Sequence, residues 1–267
     1  MILYREVNLK MDNKDYFFEN YRMADFYDDY YGRNIEDIPF WVNSCQNANK
    51  ILEIACGTGR ITFPIIESGK KVFALDYSES MLKILKEKAK QKKYNLENLE
   101  IYCQDMRNID INEKFDVILI TSNSVNHLEK TEDFEKMLDS AFNLLNNNGV
   151  LIFDALKPRF KYLMRNMDEY YDEDEFILSK TGEKVKICEN SKYDHATQIN
   201  NVNYYYIDSK GQKMTLNIKV RLYFPQELDY IISKSKFKIK NKYDWYDLRE
   251  FKGKTNEQIY ILEKKNN

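Results

Sequence analysis

The sequence predicts an α/β fold built around a mostly parallel β-sheet that is covered on both faces. Short apolar runs rich in Ile, Val and Leu alternate with longer amphipathic stretches over the first 156 residues. Strands that are apolar throughout suit a parallel sheet, because helices cover both of its faces as crossovers. The five runs are Lys50–Ile54, Lys71–Leu75, Leu99–Cys103, Phe115–Thr121 and Val150–Ala155.

Two of the amphipathic stretches carry clear helix signals. Ser78–Lys90 has apolar residues at helical spacing, and Ser78 is a suitable N-cap. Thr131–Leu145 repeats this pattern, and the following Asn146–Gly149 is typical of a helix end. Both segments fit the crossovers between successive strands.

Composition and charge exclude several classes of function. The 267 residues carry 41 basic and 43 acidic side chains, so the chain lacks the positive field that a nucleic-acid partner requires. No apolar run reaches the roughly 20 residues that span a bilayer. Met1–Lys10 also lacks the pattern of a signal peptide. We therefore expect a cytoplasmic protein with no membrane or nucleic-acid partner.

Cysteine and histidine are too sparse to predict a metal site. The four cysteines are widely separated, and the two histidines are His127 and His195. Zinc sites need closely spaced thiolates and imidazoles, which this chain does not offer. We expect no metal, and cysteines that are packed as small apolar residues.

The segments that flank the parallel strands differ in character. Aromatic residues crowd both sides of Asp15–Tyr31, which predicts a helical lid at the N-terminus. After Pro158, long alternating segments predict antiparallel strands, and Ser209-Lys210-Gly211 predicts a hairpin between two of them. A helix at Pro225–Ser235 and strands at Phe237–Tyr243 and Gln258–Glu263 would close the sheet.

These observations predict three regions. The lid covers residues 1–48, the core covers residues 49–157 and 225–267, and an inserted antiparallel β cap covers residues 158–224.

The most informative segment is a glycine-rich turn between the first apolar strand and a helix that begins near Arg60. Its small residues let a ligand approach the backbone closely. Asp76 ends the next strand seventeen residues after Gly59, a spacing at which a carboxylate reaches the ribose hydroxyls of an adenosine. Thr62 stands where a dinucleotide fingerprint needs its third glycine. Glu53 would repel a pyrophosphate but attract a cation, so an adenosine with a cationic amino-acid tail fits best.

The turn, Glu53–Gly59, resembles the acidic-x-small-x-Gly-x-Gly motif of the class I S-adenosylmethionine-dependent methyltransferases. Asp76 matches that family's ribose-binding acid, with Tyr77 beside the adenine, and Asp105 matches the acid that contacts the adenine amino group. Phe115–Ile120 and Gly149–Asp154 match its fourth and fifth strands.

The resemblance covers about residues 50–156 and implies a Rossmann-like, seven-stranded, mostly parallel sheet. It also implies S-adenosylmethionine as the cofactor. The cofactor-binding residues would be Glu53, Ala55, Cys56, Gly57, Thr58, Gly59, Arg60, Asp76, Tyr77, Met81, Gln104, Asp105, Met106 and Ser122.

The loop after the fourth strand carries the candidate catalytic residue. His127 is the one histidine at a strand end near the predicted crevice, and an imidazole can take a proton near neutral pH. Methyl transfer from a sulfonium is an in-line displacement, so the protein must align the acceptor, exclude water and manage one proton. The alternative for His127 is a loop histidine that contacts backbone.

A narrower resemblance concerns the acceptor. Ser124–Leu128, the Tyr27-Asp28 pair and the segment Arg221–Pro225 look like small-molecule N-methyltransferases that act on amino sugars, and like bacterial relatives of glycine N-methyltransferase. In the amino-sugar enzymes a histidine follows the fourth strand and an N-terminal tyrosine reaches the acceptor. These positions match His127 and Tyr21.

Three further residues are predicted to bind the substrate: Tyr27, Arg221 and Tyr223. If the strand that ends near residue 224 alternates, Arg221 and Tyr223 share a face, and the guanidinium could bind a carboxylate or phosphate.

The predicted function is methyl transfer from S-adenosylmethionine to a small-molecule acceptor, with an amine favoured, and release of S-adenosylhomocysteine. One alternative keeps the cofactor but methylates a hydroxyl, a carboxyl or a macromolecule. Another is a non-catalytic protein that binds an adenosyl ligand and regulates a partner. A monomer and a homodimer both remain open.

Overall fold

The computed structural model describes residues 27–92, 94 and 96–265. In chain order its elements are α1 (Ile38–Ser44), β1 (Lys50–Ile54), α2 (Thr62–Glu67), β2 (Lys71–Asp76), α3 (Glu79–Gln91), β3 (Leu99–Cys103), β4 (Phe115–Ile120), α4 (Thr131–Leu144), β5 (Leu145–Leu156), α5 (Phe160–Leu163), β6 (Tyr171–Ile177), β7 (Lys184–Asp194), β8 (Ile199–Ile207), β9 (Lys213–Arg221), α6 (Pro225–Lys234), β10 (Phe237–Tyr243) and β11 (Glu257–Lys264). Residues 27–31 are also helical, and 3-10 turns occupy Leu96–Asn98 and Ser124–His127.

The chain divides into two compact units. One contains the described residues 27–33 together with residues 159–221, and the other contains residues 34–158 and 222–265. Most of the predicted N-terminal lid, including Tyr21, lies outside the described residues. None of the helices that the structure describes is long and apolar enough to cross a membrane.

The larger unit is built on a seven-stranded sheet with the order β10-β11-β5-β4-β1-β2-β3. Strand β11 is antiparallel to both of its neighbours, whereas β1 to β5 pair in parallel. Two separate apolar clusters cover it, one around Phe73, Phe115 and Phe153 and the other around Trp41 and Ile51. The predicted seven-stranded, mostly parallel sheet is therefore confirmed.

The direction of β11 decides which residues reach the ligand-binding edge of the sheet. Ligands of open α/β sheets bind at the carboxyl ends of the parallel strands. Because β11 runs the other way, its first residue, Glu257, pairs with Leu156 at the carboxyl end of β5. The amino end of β11 thus lies on the same edge as the glycine-rich turn.

The smaller unit contains a four-stranded antiparallel sheet in the order β6-β7-β8-β9. One face carries an apolar cluster that includes Phe176, Ile187 and Leu216, and Tyr30 from the helical residues 27–31 packs against it. The predicted hairpin is confirmed, because β8 and β9 pair in register around Gly211, which has a φ of 76°. Left-handed backbone of this kind favours glycine.

The predicted end of the helix before β5 is correct to one residue, but the Asn-rich stretch that follows is strand. Strand β5 begins at Leu145, and its pairing with β4 is irregular at that end. The Asn146 amide donates to Asp116 at 2.7 Å. A Cβ on Gly149 would lie 2.9 Å from the Asp116 carbonyl oxygen, so this close approach of two strands requires glycine.

Candidate cofactor and acceptor site

The glycine-rich turn uses backbone conformations that side chains disfavour. Ala55, Gly57 and Gly59 have φ values of 58°, 55° and 89°. A Cβ on Gly59 would lie 2.6 Å from the Phe63 ring, whereas a Cβ on Gly57 would meet none of the described atoms within 4 Å. The backbone at Gly57 therefore faces open space, as the approach of a ligand requires.

Asp76 joins this turn to the end of β2. One carboxylate oxygen accepts the N–H of Gly57 at 2.7 Å, and the other accepts the N–H of Ser78 at 2.9 Å. Burial raises the pKa of Asp76, and the backbone N–H groups act in the opposite direction. The backbone N–H of Tyr77 bonds the same carboxylate, and of its four acceptor positions one remains for a ribose hydroxyl.

Glu53 lies fully buried at the end of β1. Its carboxyl accepts the hydroxyl of Thr62 at 2.5 Å. Burial raises the pKa of Glu53 to about 8, so the neutral form is favoured at pH 7. A cationic amino group beside it would favour the ionised form again. Of the neighbouring turn residues, Cys56 and Thr58 are also buried.

The loop after β3 places Asp105 against a residue that sequence analysis missed. The guanidinium of Arg107 donates to both oxygens of Asp105, with Nε at 2.9 Å from one of them. Hydrogen bonds from Arg107 lower the pKa of Asp105 and keep it ionised. Gln104 bonds the backbone of Asp110 through both ends of its amide, so it fixes this loop.

Three other predicted cofactor residues have different surroundings. The Tyr77 side chain is 45% exposed, Met106 is half-buried, and Met81 is 1% exposed inside α3. The Met81 N–H donates to the Ser78 hydroxyl, which caps that helix as predicted.

Arg60 makes an internal ion pair. Its guanidinium donates to the two oxygens of Asp37 at 2.6 and 2.7 Å, and also to the Ser122 hydroxyl at 2.9 Å. Asp37 is 2% exposed and accepts the indole N–H of Trp41 at 3.0 Å. Arg60 and Ser122, both predicted to bind the cofactor, thus connect the glycine-rich turn to the chain after β4.

The turn after β4 is strained and firmly held. Ser122 and Asn123 both have a φ of 59°, a conformation that non-glycine residues rarely adopt. Asp154, at the end of β5, accepts the N–H of Asn123 at 2.7 Å and the hydroxyl of Tyr246 at 2.6 Å. Burial raises the pKa of Asp154 to about 6. Strained backbone held by buried groups is common at functional sites.

His127 is exposed at the end of the 3-10 turn that follows. The side-chain amide of Asn126 fixes this turn, since it donates to the Leu156 carbonyl at 3.0 Å and accepts the Leu156 N–H at 2.8 Å. The imidazole therefore stands at the carboxyl edge of the sheet on a rigid support.

The predicted acceptor residues are divided between the two units. Tyr27 and Arg221 belong to the smaller unit, whereas Tyr223 belongs to the larger one. Tyr223 is completely buried and donates its hydroxyl to the Leu128 carbonyl. Strand β9 ends at Arg221, so the alternation that was expected to place Arg221 and Tyr223 on one face does not reach Tyr223, and its role in substrate binding stays a prediction.

Glu257 is a second residue that sequence analysis missed. It is 9% exposed, and the Asn123 side chain makes a hydrogen bond to it. Burial raises the pKa of Glu257 to about 8. No group of side chains suited to a metal ion occurs among the residues that the structure describes.

The comparisons with known proteins identify the segment that carries this geometry. Residues 51–149 match the family model described as a methyltransferase domain. Residues 51–149 form a methyltransferase domain. This domain contains β1, β4 and the glycine-rich turn, together with Asp76, Asp105 and His127.

Curated relatives match the same region of the chain. YqeM of Bacillus subtilis is 34% identical over 117 residues, which are 43% of this chain and 46% of that protein. A malonyl-[acyl-carrier protein] O-methyltransferase of Bacillus anthracis is 30% identical over 42% of this chain and 39% of its own. A glycine/sarcosine N-methyltransferase of Aphanothece halophytica is 30% identical over 54% of this chain and 51% of its own. The chain thus spans about half the length of the curated relatives it matches.

Solved structures match nearly the whole chain. An S-adenosylmethionine-dependent methyltransferase of Clostridium acetobutylicum superimposes with a TM-score of 0.75 at 22% identity, over 92% of this chain and 98% of its own. The sugar N-methyltransferase KedS8 of Streptoalloteichus superimposes with a TM-score of 0.69 at 15% identity, over 98% of this chain and 100% of its own. The methyltransferase domain therefore has the fold of the class I S-adenosylmethionine-dependent methyltransferases, and that resemblance is confirmed.

Proposed function

We propose that this protein transfers a methyl group from S-adenosylmethionine to an amine of a small molecule and releases S-adenosylhomocysteine. The proposal rests on the hydrogen bond from the Gly57 N–H to the Asp76 carboxylate. The Gly57 backbone faces open space, and the buried carboxylate can accept a further hydrogen bond. Both groups lie at the carboxyl edge of a parallel sheet, where ligands bind.

The residues at this edge fit S-adenosylmethionine. Asp76 would accept a ribose hydroxyl, the turn at Gly57 and Gly59 would lie against the nucleoside, and Asp105 would accept the adenine amino group. Glu53 would face the cationic amino-acid end, whose charge restores the ionised carboxylate. The bound sulfonium supplies the methyl group, and the protein supplies alignment and exclusion of water.

His127 would act on the acceptor. An amine must lose a proton before or during methylation, and an exposed imidazole on a fixed turn can accept it or orient the nitrogen. Small-molecule amines are supported by the glycine/sarcosine and sugar N-methyltransferases among the matches. A hydroxyl or carboxyl acceptor is the second candidate, because an O-methyltransferase matches the same region.

The test measures S-adenosylhomocysteine formed by the full chain with panels of amines, amino sugars, amino acids, alcohols and carboxylic acids. We expect turnover with the amine panel. Turnover confined to alcohols or carboxylic acids would favour the second candidate. Cofactor binding without turnover on any panel would contradict the proposal and favour a regulatory adenosyl-ligand binder.

His127→Ala tests the acceptor side of the proposal. It should lower kcat by about 10²–10⁴-fold and leave the Kd for S-adenosylhomocysteine nearly unchanged. His195→Ala is the matched control, since His195 is an exposed histidine in the smaller unit. Equal activity of the two variants at every pH would reduce His127 to a loop residue.

A further inference from the structure

Two buried oxygen atoms beside the turn after β4 lack a hydrogen-bond donor. They are Oε2 of Glu257 and Oδ1 of Asn123, and neither has a partner among the residues that the structure describes. An unpaired buried acceptor costs about 1–3 kcal/mol, so such atoms in a folded protein need an explanation. Because the Asn123 side chain is hydrogen-bonded to the Glu257 carboxyl, the two unpaired oxygens belong to neighbouring side chains and form one candidate site.

The charges around Glu257 favour a cation. Besides burial, Asp154 and Asp37 raise its pKa, and Lys157 lowers it. Tyr246 lies near the Glu257 carboxyl. Burial raises the pKa of this tyrosine, and the charges of Asp154 and Glu257 raise it further. Lys157 donates to a backbone carbonyl at 2.9 Å, which uses part of its hydrogen-bonding capacity.

Arg60 does not change this balance. Its guanidinium is bound to both oxygens of Asp37, so these two charges cancel locally. Asp154 is then opposed by the ammonium of Lys157, and an ionised Glu257 would add one excess negative charge. A cationic ligand would favour this ionised form and be attracted to it, whereas an anionic ligand would gain nothing here.

The position of this place suits an acceptor of methyl groups. Glu257 opens β11 at the carboxyl edge, and Asn123 lies four residues before His127. Ser122 is exposed and Asn123 is half-buried, so the surface of the turn faces solvent and the two unpaired oxygens lie just beneath it. A ligand held here would lie on the His127 side of the methyltransferase domain.

We propose that Glu257 Oε2 and Asn123 Oδ1 bind the ammonium group of the methyl acceptor. A primary or secondary ammonium carries at least two N–H donors, which match two unpaired acceptors, whereas an alcohol carries one. The proposal rests on amine methylation as the proposed function. The ammonium site adds to that function the residues that distinguish an amine from an alcohol.

The test titrates the full chain, saturated with S-adenosylhomocysteine, with cyclohexylammonium chloride and with the neutral probe cyclohexanol at pH 7.5. We expect the wild type to bind cyclohexylammonium at least tenfold more tightly than cyclohexanol. Glu257→Gln should remove that preference and leave the Kd for S-adenosylhomocysteine within twofold of wild type. An unchanged Kd for cyclohexylammonium in Glu257→Gln would overturn the proposal, as would equal binding of the two probes by the wild type.

Two further variants keep the test decisive. Glu263→Gln changes an exposed carboxylate on the same strand, paired with Lys238 and Lys240, and should bind both probes as the wild type does. Asn123→Gly removes Oδ1 while keeping a residue that tolerates the left-handed backbone, so it should fold even if Glu257→Gln does not. It should weaken cyclohexylammonium about fivefold, and wild-type affinity would overturn the proposal.

Turnover distinguishes this proposal from the proposed function. With an amine that is methylated, Glu257→Gln should raise KM at least tenfold and change kcat little. An unchanged KM would overturn the ammonium site and leave the proposed function intact. If no amine is methylated but cyclohexylammonium still binds through Glu257, the proposed function fails and the ammonium site stands.

Discussion

Replacing Arg60 by methionine should strongly destabilise the larger unit. The side chains of Arg60 and Asp37 are only 12% and 2% exposed, and two hydrogen bonds of 2.6 and 2.7 Å join them. Methionine keeps the apolar stem but leaves the Asp37 charge buried with the Trp41 N–H as its remaining side-chain donor. Breaking one side of a buried ion pair costs about 3–5 kcal/mol. We expect a loss of this size in the free energy of unfolding.

Urea unfolding followed by tryptophan fluorescence measures this loss. Both tryptophans, Trp41 and Trp245, lie in the larger unit, so their emission reports on that unit. The double variant Asp37→Asn/Arg60→Met should recover most of the stability, because no unpaired charge remains to be buried.

An exposed ion pair provides the matched control for this prediction. Arg249 and Asp247 are each about half exposed, at 55% and 48%. Arg249→Met should therefore lower the free energy of unfolding far less than Arg60→Met does. If Arg60→Met costs no more than Arg249→Met, the buried pair does not hold the glycine-rich turn to the chain after β4, and the reasoning fails.

Two further predictions concern the turn and the buried acid next to it. Gly59→Ala should lower the free energy of unfolding by at least about 1–2 kcal/mol for the left-handed backbone alone, and further because Phe63 must be displaced. Tm in differential scanning calorimetry should fall. An unchanged Tm would show that the turn relaxes. The folded pKa of Glu53 is raised from 4.5 to about 8, so the stability that its neutral form contributes is complete below pH 4.5 and is lost as pH rises through 8. Glu53→Gln should therefore flatten the decline of Tm between pH 5 and 9, and an unchanged slope would contradict that pKa.

The sequence predicts the centre of the fold because its strands are apolar throughout. Strands β1 and β3 have the predicted bounds, and β2 and β4 each end one residue away from their predicted ends. Asp76 was also predictable, since its spacing from Gly59 follows from one β-turn-α-β unit. Local patterns and short spacings therefore predicted where these strands end and where Asp76 lies, whereas the cofactor-binding roles of the residues stay predictions.

Long-range contacts account for what the sequence did not predict. Glu257 stands one residue before the predicted closing strand, and it reaches the site because β11 is antiparallel to β5. Arg60 follows the glycine-rich motif and was assigned to the cofactor, but Asp37, 23 residues earlier, pairs with its guanidinium. The period-2 pattern gave no sign that β9 stops at Arg221, so it did not predict that Tyr223 is buried and bonded to the Leu128 carbonyl.

Calorimetric titration with S-adenosylhomocysteine measures cofactor binding at Gly57 and Asp76. We expect one binding site per chain, no binding of NAD, and an affinity that falls by about 1.5–3 kcal/mol in Asp76→Ala, the usual cost of losing hydrogen bonds to a charged acceptor. Asp247→Ala, which removes an exposed carboxylate remote in sequence from the turn, should bind as the wild type does. A folded wild-type chain that binds NAD but not S-adenosylhomocysteine, or an Asp76→Ala variant with unchanged affinity, would show that this turn is not a site for S-adenosylmethionine.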